Sequence, residues 1–300
     1  MKASGFSQEQ VAQRLVVSFA TLNSWVNERS QPRKKKLAKI ENLYIEIVGS
    51  DQIDETLFVR TINRTQSLHL TPKQIVASKK VLDDLMTTLI YHSNTIEGNT
   101  MTLSDVRKVI FENKTLSNRT AIEQAEARNH RSALEWLLHK LVDEKSSLKI
   151  DEQLILDIHL RLMNGIISDA GQYRQHSVRI MGAHVPTANW QTIPSRVSRL
   201  VKLIDSATDN NIVRSLARSH AVFEQIHPFS DGNGRVGRLL MLAQALRANY
   251  APPVVVQWRK HAYYRYLELA QTSEKHKPLE LFIAQSMRYS YDEIAKGGRN

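Results

Sequence analysis

The chain has 300 residues, 42% hydrophobic and 24% charged, with only 11 glycines and 8 prolines. This is an ordinary globular composition, long enough for about two domains, and it excludes a disordered or collagen-like chain. Forty-one basic against 30 acidic residues leave a net charge of +11 and a pI near 9.8, which favours an anionic partner such as nucleic acid, nucleotide or acidic protein. Cysteine is absent, so a disulfide, a thiolate zinc site and a cysteine nucleophile are all excluded. The sequence opens without an apolar leader and holds no run of 18 apolar residues. The expectation is a cytoplasmic protein with no membrane partner.

Helical periodicity dominates, and the fold expected is all-α with one short β-hairpin. The first two elements lie within residues 5–32. Ser7, with Gln10 three residues on, reads as a capping box for a short helix with Val11, Ala12 and Leu15 on its apolar face. Ser18 reads as the cap of a second helix carrying Leu22, Trp25 and Val26. Val16 fills the turn, where a β-branched residue resists positive φ. Pro32 is expected to end the pair, and the basic run Arg33-Lys34-Lys35-Lys36 follows. Two short helices joined by a tight turn resemble a helix-turn-helix of the phage-repressor type. That resemblance implies DNA as a partner through residues 1–40, with Thr21, Asn23 and Ser24 offered to bases.

Further helical stripes follow at Leu82, Leu85, Leu89 and Ile90, at Leu134, Leu137, Leu138 and Leu141, and at Leu154, Ile158 and Leu162. Period-two alternation occurs at Ser177-Val178-Arg179-Ile180-Met181, ahead of Gly182 and Pro186, and predicts a strand or hairpin. Stripes from Ile212 to Ile226 and from Arg235 to about Asn249 bracket the strongest motif, His227-Pro228-Phe229-Ser230-Asp231-Gly232-Asn233-Gly234-Arg235-Val236-Gly237-Arg238.

That motif is a loop opening a helix. Glycines at a helix N-terminus let backbone N–H groups approach an anion that the helix dipole favours. Arg235 and Arg238, three apart, share a helix face and suit a polyphosphate. Asp231 is a lone carboxylate of the kind Mg²⁺ uses beside phosphate oxygens, and His227 can take a proton near neutral pH. Taken singly each has a bland alternative, but twelve residues between two helices hold all of them.

The string resembles the Fic family signature at every defined position. That resemblance implies an enzyme that moves AMP from ATP, with Mg²⁺ or Mn²⁺, onto a Ser, Thr or Tyr hydroxyl of a target protein or of itself. His227 is then the catalytic base and Asp231 the metal ligand, while Gly232, Asn233, Gly234, Arg235 and Arg238 hold the phosphates. Ser93-Asn94-Thr95-Ile96-Glu97-Gly98 is similar to the family's inhibitory motif, which implies that Glu97, with Ser93, blocks the site through Arg238. Val178, Ile180 and Gly182 resemble a flap that pairs with an extended target segment, and Tyr264 and Gln271 are implied to face adenine. The resulting division is a helix-turn-helix with a basic linker over residues 1–50, then a Fic-type unit over 55–290 with its inhibitory helix near 82–99. The resemblance leaves open AMP removal by the same site, a DNA-binding regulator with a nucleotide-sensing core, and homo-oligomerisation.

Overall fold

The computed structural model describes residues 5–144, 147–180, 185–206 and 211–297. Three short helices come first, α1 (Gln8–Leu15), α2 (Phe19–Val26) and α3 (Lys34–Ile47). They are followed by α4 (Glu55–Thr65), α5 (Pro72–Val76), α6 (Lys79–Ile96), α7 (Leu103–Phe111), α8 (Ala121–Glu144), α9 (Glu152–Met163) and α10 (Ile193–Asp205). The last four are α11 (Ile212–Ile226), α12 (Asn233–Arg247), α13 (Lys260–Thr272) and α14 (Lys277–Gly297).

The N-terminal helices begin as the sequence predicts. Ser7 and Gln10 form a reciprocal capping box, and Ser18 accepts from Thr21 N. Ala12, Leu15 and Leu22 make a small core of their own, covered by Val11, Trp25, Ile40 and Leu43. The turn between α1 and α2 is left-handed at Val16, φ 54°, despite the β-branch, and the side chain points to solvent. Lys36 Nζ donates to the carbonyls of Leu15 and Val16 at 2.9 and 3.0 Å, so α3 ties down that turn. The second helix ends at Val26 rather than at Pro32. Glu28 turns left-handed at φ 56°, and Arg29 N donates back to Ser24 O.

The main core runs through α5 to α14 and centres on α12, whose Val236, Leu239 and Met241 to Leu246 are almost wholly buried. A helix apolar on all sides belongs inside a bundle. Here α12 packs against α6, α8, α9 and α11, which fixes where its first turn opens. Among the described residues no strand forms. An isolated bridge between His69 and Tyr250 is the only pairing of strand type among them.

The expected strand at 177–181 is therefore absent over 177–180, and Met181 and Gly182 lie outside the described residues. A single alternating stretch has no neighbour to complete a hydrogen-bond ladder. In its place Thr187 Oγ1 donates to Val178 O at 2.8 Å, joining the two arms of the segment. Among the described residues no helix is long and apolar enough to cross a membrane.

Candidate active site

The sequence Ile226-His227-Pro228 ends α11 with a residue that is not glycine in a left-handed conformation, His227 at φ 50°. Such backbone costs about 1–3 kcal/mol and persists where its surroundings enforce it. The enforcing residue is Arg174, which is 1% exposed. It donates Nε to His227 O at 2.7 Å, Nη2 to Ala188 O at 2.7 Å, and Nη1 to His176 O at 2.5 Å. Its own N–H donates to Pro228 O at 3.0 Å. One buried guanidinium thus fastens the catalytic-loop backbone to both arms of the 174–188 segment.

His227 Nδ1 lies 3.2 Å from Glu224 O. Donation there leaves Nε2 with its lone pair. Burial holds the imidazole below its usual pKa, so it is neutral near pH 7 and equipped to accept a proton.

The loop is held from inside. Phe229 is buried and stacks on His159, with ring centroids 3.7 Å apart. His159 Nδ1 accepts from Gly171 N at 2.9 Å, so Nε2 donates to Asp231 O at 3.1 Å, and burial lowers its pKa to about 4. Asn233 does not spend its side chain on an anion. Oδ1 accepts from Phe229 N at 2.9 Å and Nδ2 donates to Phe229 O at 2.8 Å, clamping the loop. Gly232 is left-handed at φ 80°, and a Cβ there would come within 2.8 Å of Met163 Sδ.

The two signature arginines diverge. Three residues along a helix leave them about 60° apart, so α6 and α8 each receive one. Arg238 is 6% exposed and donates Nε to Ser93 Oγ at 2.8 Å, then Nη2 to Ser93 O at 3.0 Å and to Glu97 Oε1 at 2.7 Å. Its Nη1, also buried, has no hydrogen-bond partner among the described residues.

Arg235, equally buried, pairs with Glu126 of α8 at 2.8 Å and reaches Asp231 Oδ2 only at 3.4 Å. Two carboxylates thus hold its guanidinium in this structure. The carboxylate of Glu97, just past the end of α6, fills the space that a Cβ on Gly234 would need. An anion therefore already sits at the first turn of α12.

Asp231 is the exposed acid at the mouth. Its side chain is 60% exposed, and Oδ1 accepts from Gly232 N at 2.6 Å. No cluster of three or more metal-ligating side chains occurs among the described residues. One accessible carboxylate fits Mg²⁺ or Mn²⁺ that takes its other ligands from phosphate and water.

Tyr264 and Gln271, two turns apart on α13, share a face. Tyr264 is 38% exposed, and its hydroxyl pKa is raised first by burial and then by the Glu97 carboxylate. Gln271 Nε2 donates to Ala221 O at 3.3 Å, so this amide braces α11.

Sequence reasoning missed His159, Glu126 and Glu224, and it read Arg174 only as part of the flap-like stretch that opens Gly171-Gln172-Tyr173-Arg174. Each is a common polar residue on a helix or loop, and only burial marks it out. Glu224 is 6% exposed, has an unpartnered Oε1 and lies against Gly237.

In the N-terminal unit, Thr21 Oγ1 is 2.8 Å from Ser18 Oγ, Asn23 Nδ2 donates to Gln8 at 3.3 Å, and Ser24 Oγ meets Ser30 Oγ at 2.8 Å. All three side chains are half-buried and locally engaged.

Residues 149–245 match the Fic/DOC family profile, and residues 1–45 match a helix-turn-helix profile. The chain carries a Fic/DOC domain. A protein adenylyltransferase Fic of Nematostella vectensis is 30% identical over 289 residues, covering 94% of this chain and 63% of the relative. One of Aedes aegypti is 28% identical over 249 residues, covering 81% and 48%. The chain thus spans about half to two-thirds of the length of these curated relatives.

Among solved structures, Fic-1 of C. elegans superposes with a TM-score of 0.70 at 17% identity, covering 97% of each chain. A Fic domain-containing signaling protein of Bacteroides thetaiotaomicron gives 0.68 at 21% identity, covering 81% of this chain and 98% of its own. These establish the Fic fold for the helical core.

Proposed function

We propose that the protein is a self-inhibited adenylyltransferase that moves AMP from ATP to a hydroxyl of a target protein or of itself. The observation that carries this is an anion seated beside a base. The Glu97 carboxylate rests on Gly234 and pairs with Arg238, at a helix N-terminus next to a neutral His227. A carboxylate held at that point by a guanidinium stands where a phosphate would bind. The name carried by the curated relatives supports the same reading.

In the proposed reaction Glu97 leaves Arg238, whose guanidinium then takes the terminal phosphate, with Nη1 free to add a second bond. Gly232, Asn233 and Gly234 offer backbone N–H groups to the triphosphate. Asp231 holds Mg²⁺ or Mn²⁺, which supplies charge neutralisation on the phosphates when bound. Val178 and Ile180 line the flap against which a target segment lies. His227 Nε2 takes the proton of the target hydroxyl, whose oxygen attacks the α-phosphorus. The bond between the α-phosphorus and its bridging oxygen breaks, and pyrophosphate leaves.

The test is labelling with α-³²P-ATP and Mg²⁺. Glu97→Gly is expected to raise self-labelling well above wild type, and His227→Ala added to it to abolish the signal. Equal labelling in all three proteins would sink the assignment of both residues.

We infer in addition that residues 1–40 bind DNA. The helix-turn-helix match and the capped α1–α2 pair support this. Lys36 is occupied with the α1 turn, so Arg29, Arg33, Lys35 and Lys39, all exposed, supply the positive charge. Affinity is expected to fall steeply with salt as phosphate contacts release counterions. A flat salt response would remove the inference.

A further inference from the structure

One junction joins the N-terminal helices to α6, the helix capped by Glu97. The 3₁₀ turn Gln257–Arg259 lies between α3 and α6. On the α3 side, Glu41 grips Arg259 through both carboxylate oxygens, at 2.6 and 2.9 Å, and Gln285 of α14 accepts from the same guanidinium at 2.7 Å. Lys34, the first residue of α3, stands 4.7 Å over the Trp258 ring and 5.4 Å over that of Tyr289. On the α6 side, the same Trp258 meets His92 edge-on, 5.0 Å between centroids at 81°. Gln257 N donates to His92 Nδ1 at 3.3 Å, and Lys260 donates to the carbonyl of Ile96, the last residue of α6. His92 is followed directly by Ser93, whose hydroxyl and carbonyl hold Arg238.

His92 is neutral, its pKa pushed down to about 3 first by burial and then by the Lys34 ammonium, and Nδ1 is the nitrogen that accepts from Gln257 N. The seam beside the junction is not filled. A cavity of about 620 Å³, lined by Leu37, Ile40, Tyr44, Trp258, Phe282 and Tyr289, separates α3 from α14. Helix α3 meets the Fic core through Ile45, which is buried in it, and through these polar and ring contacts beside an open seam, so it shifts as a unit if it shifts.

We propose that Trp258 is a positioning residue that passes the seating of α3 on to the inhibitory helix. With α3 seated, Trp258 and its neighbours hold the last turn of α6 and keep Glu97 on Arg238. With α3 displaced, that turn loosens and Glu97 leaves. Whatever binds the N-terminal helices acts on the distant site only as far as it favours one seating over the other. The activity part of this inference rests on the adenylyl-transfer reading above.

The experiment uses the full chain and places Trp258→Ala in wild-type and Glu97→Gly backgrounds. The expected result is about a tenfold rise in self-labelling in the first background, within the usual range for coupled sites, and no further rise in the second, because the two changes act on one event. Trp258→Phe is expected to stay at the wild-type level. Amide hydrogen exchange at Ile96, Glu97 and Gly98 is expected to quicken in Trp258→Ala, and also in Glu41→Ala, which touches only the α3 side. Reduced labelling in both backgrounds marks Trp258 as a fold residue alone and overturns the proposal. Exchange unchanged in Trp258→Ala, or quickened there but not in Glu41→Ala, overturns it as well. If Glu97→Gly itself fails to label, the adenylyl-transfer reading falls, while the exchange measurement still decides the coupling.

Discussion

Glu97 Oε1 lies 2.7 Å from Arg238 Nη2 and at the same time covers the α-carbon of Gly234. On the proposed reading the two contacts make nucleotide and glutamate compete for one place. ATP is therefore expected to stabilise Glu97→Gly more than wild type. A ligand at a hundred times its dissociation constant adds about 2.7 kcal/mol to the folded state. Melting temperatures with and without ATP and Mg²⁺ check this, and equal shifts in the two proteins would detach Glu97 from the nucleotide site.

Buried titratable groups predict a narrow pH range of stability. Burial raises Glu224 to about 8, with Glu97 adding to the shift and Arg238 opposing it. The unfolded chain gives up this proton near pH 4.5, whereas the folded chain keeps it to about pH 8. Stability therefore falls as pH rises between those values, at about 1.4 kcal/mol per unit. Glu224→Gln, neutral throughout, is expected to gain a few kcal/mol on wild type at pH 8 and little at pH 5.

The histidines work in the opposite direction. Burial lowers His92, His130 and His220 to about 3, and His159 to about 4. The stability present above the unfolded value near 6.5 is lost as pH falls toward those numbers. Urea midpoints at three pH values, with the steepest acid loss below pH 6, check both slopes.

Arg174 is expected to be among the most damaging surface-remote substitutions. Arg174→Ala strips donors from the carbonyls of His227, His176 and Ala188 and is expected to cost about 3–5 kcal/mol. Arg174→Lys cannot reach all three and recovers only part. Denaturant unfolding measures the loss. In the Glu97→Gly background labelling is expected to fall with it, since His227 loses the hold on its strained backbone.

At the other end of the chain, Val16→Gly is expected to stabilise the protein by up to about 1 kcal/mol. A left-handed β-branched residue is strained, and glycine is not. Its side chain is 74% exposed, so little packing is lost. A lower melting temperature for the variant would contradict this account of the turn.

How much of this was legible in the residues follows from their range of action. Ser7, Ser18 and the stripe of α11 act locally, and the structure places their helices where the spacing predicts. The signature from His227 to Arg238 was legible because its chemistry is contiguous. The ion pair of Arg235 was not, because its partner Glu126 is 109 residues away and sits on another helix. The side-chain job of Asn233 was equally out of reach, since the sequence does not show that its amide closes the loop on Phe229. The missing strand at 177–180 reflects alternation without a neighbouring strand. Arg174 belongs to the stretch that resembles the flap, but its clamping role was not legible, because nothing in a sequence says which arginine ends up enclosed.

Helix α3 closes two cores at once. Ile40 and Leu43 cover the small N-terminal cluster, while Ile45 belongs to the large one, and Glu41 reaches across to Arg259. A protein cut after residue 50 would leave Trp258, Tyr289 and a guanidinium stripped of its carboxylate partner facing water, so recombinant pieces made at that apparent boundary should be sticky and poorly behaved, whereas a cut that keeps α3 with the larger piece should spare it.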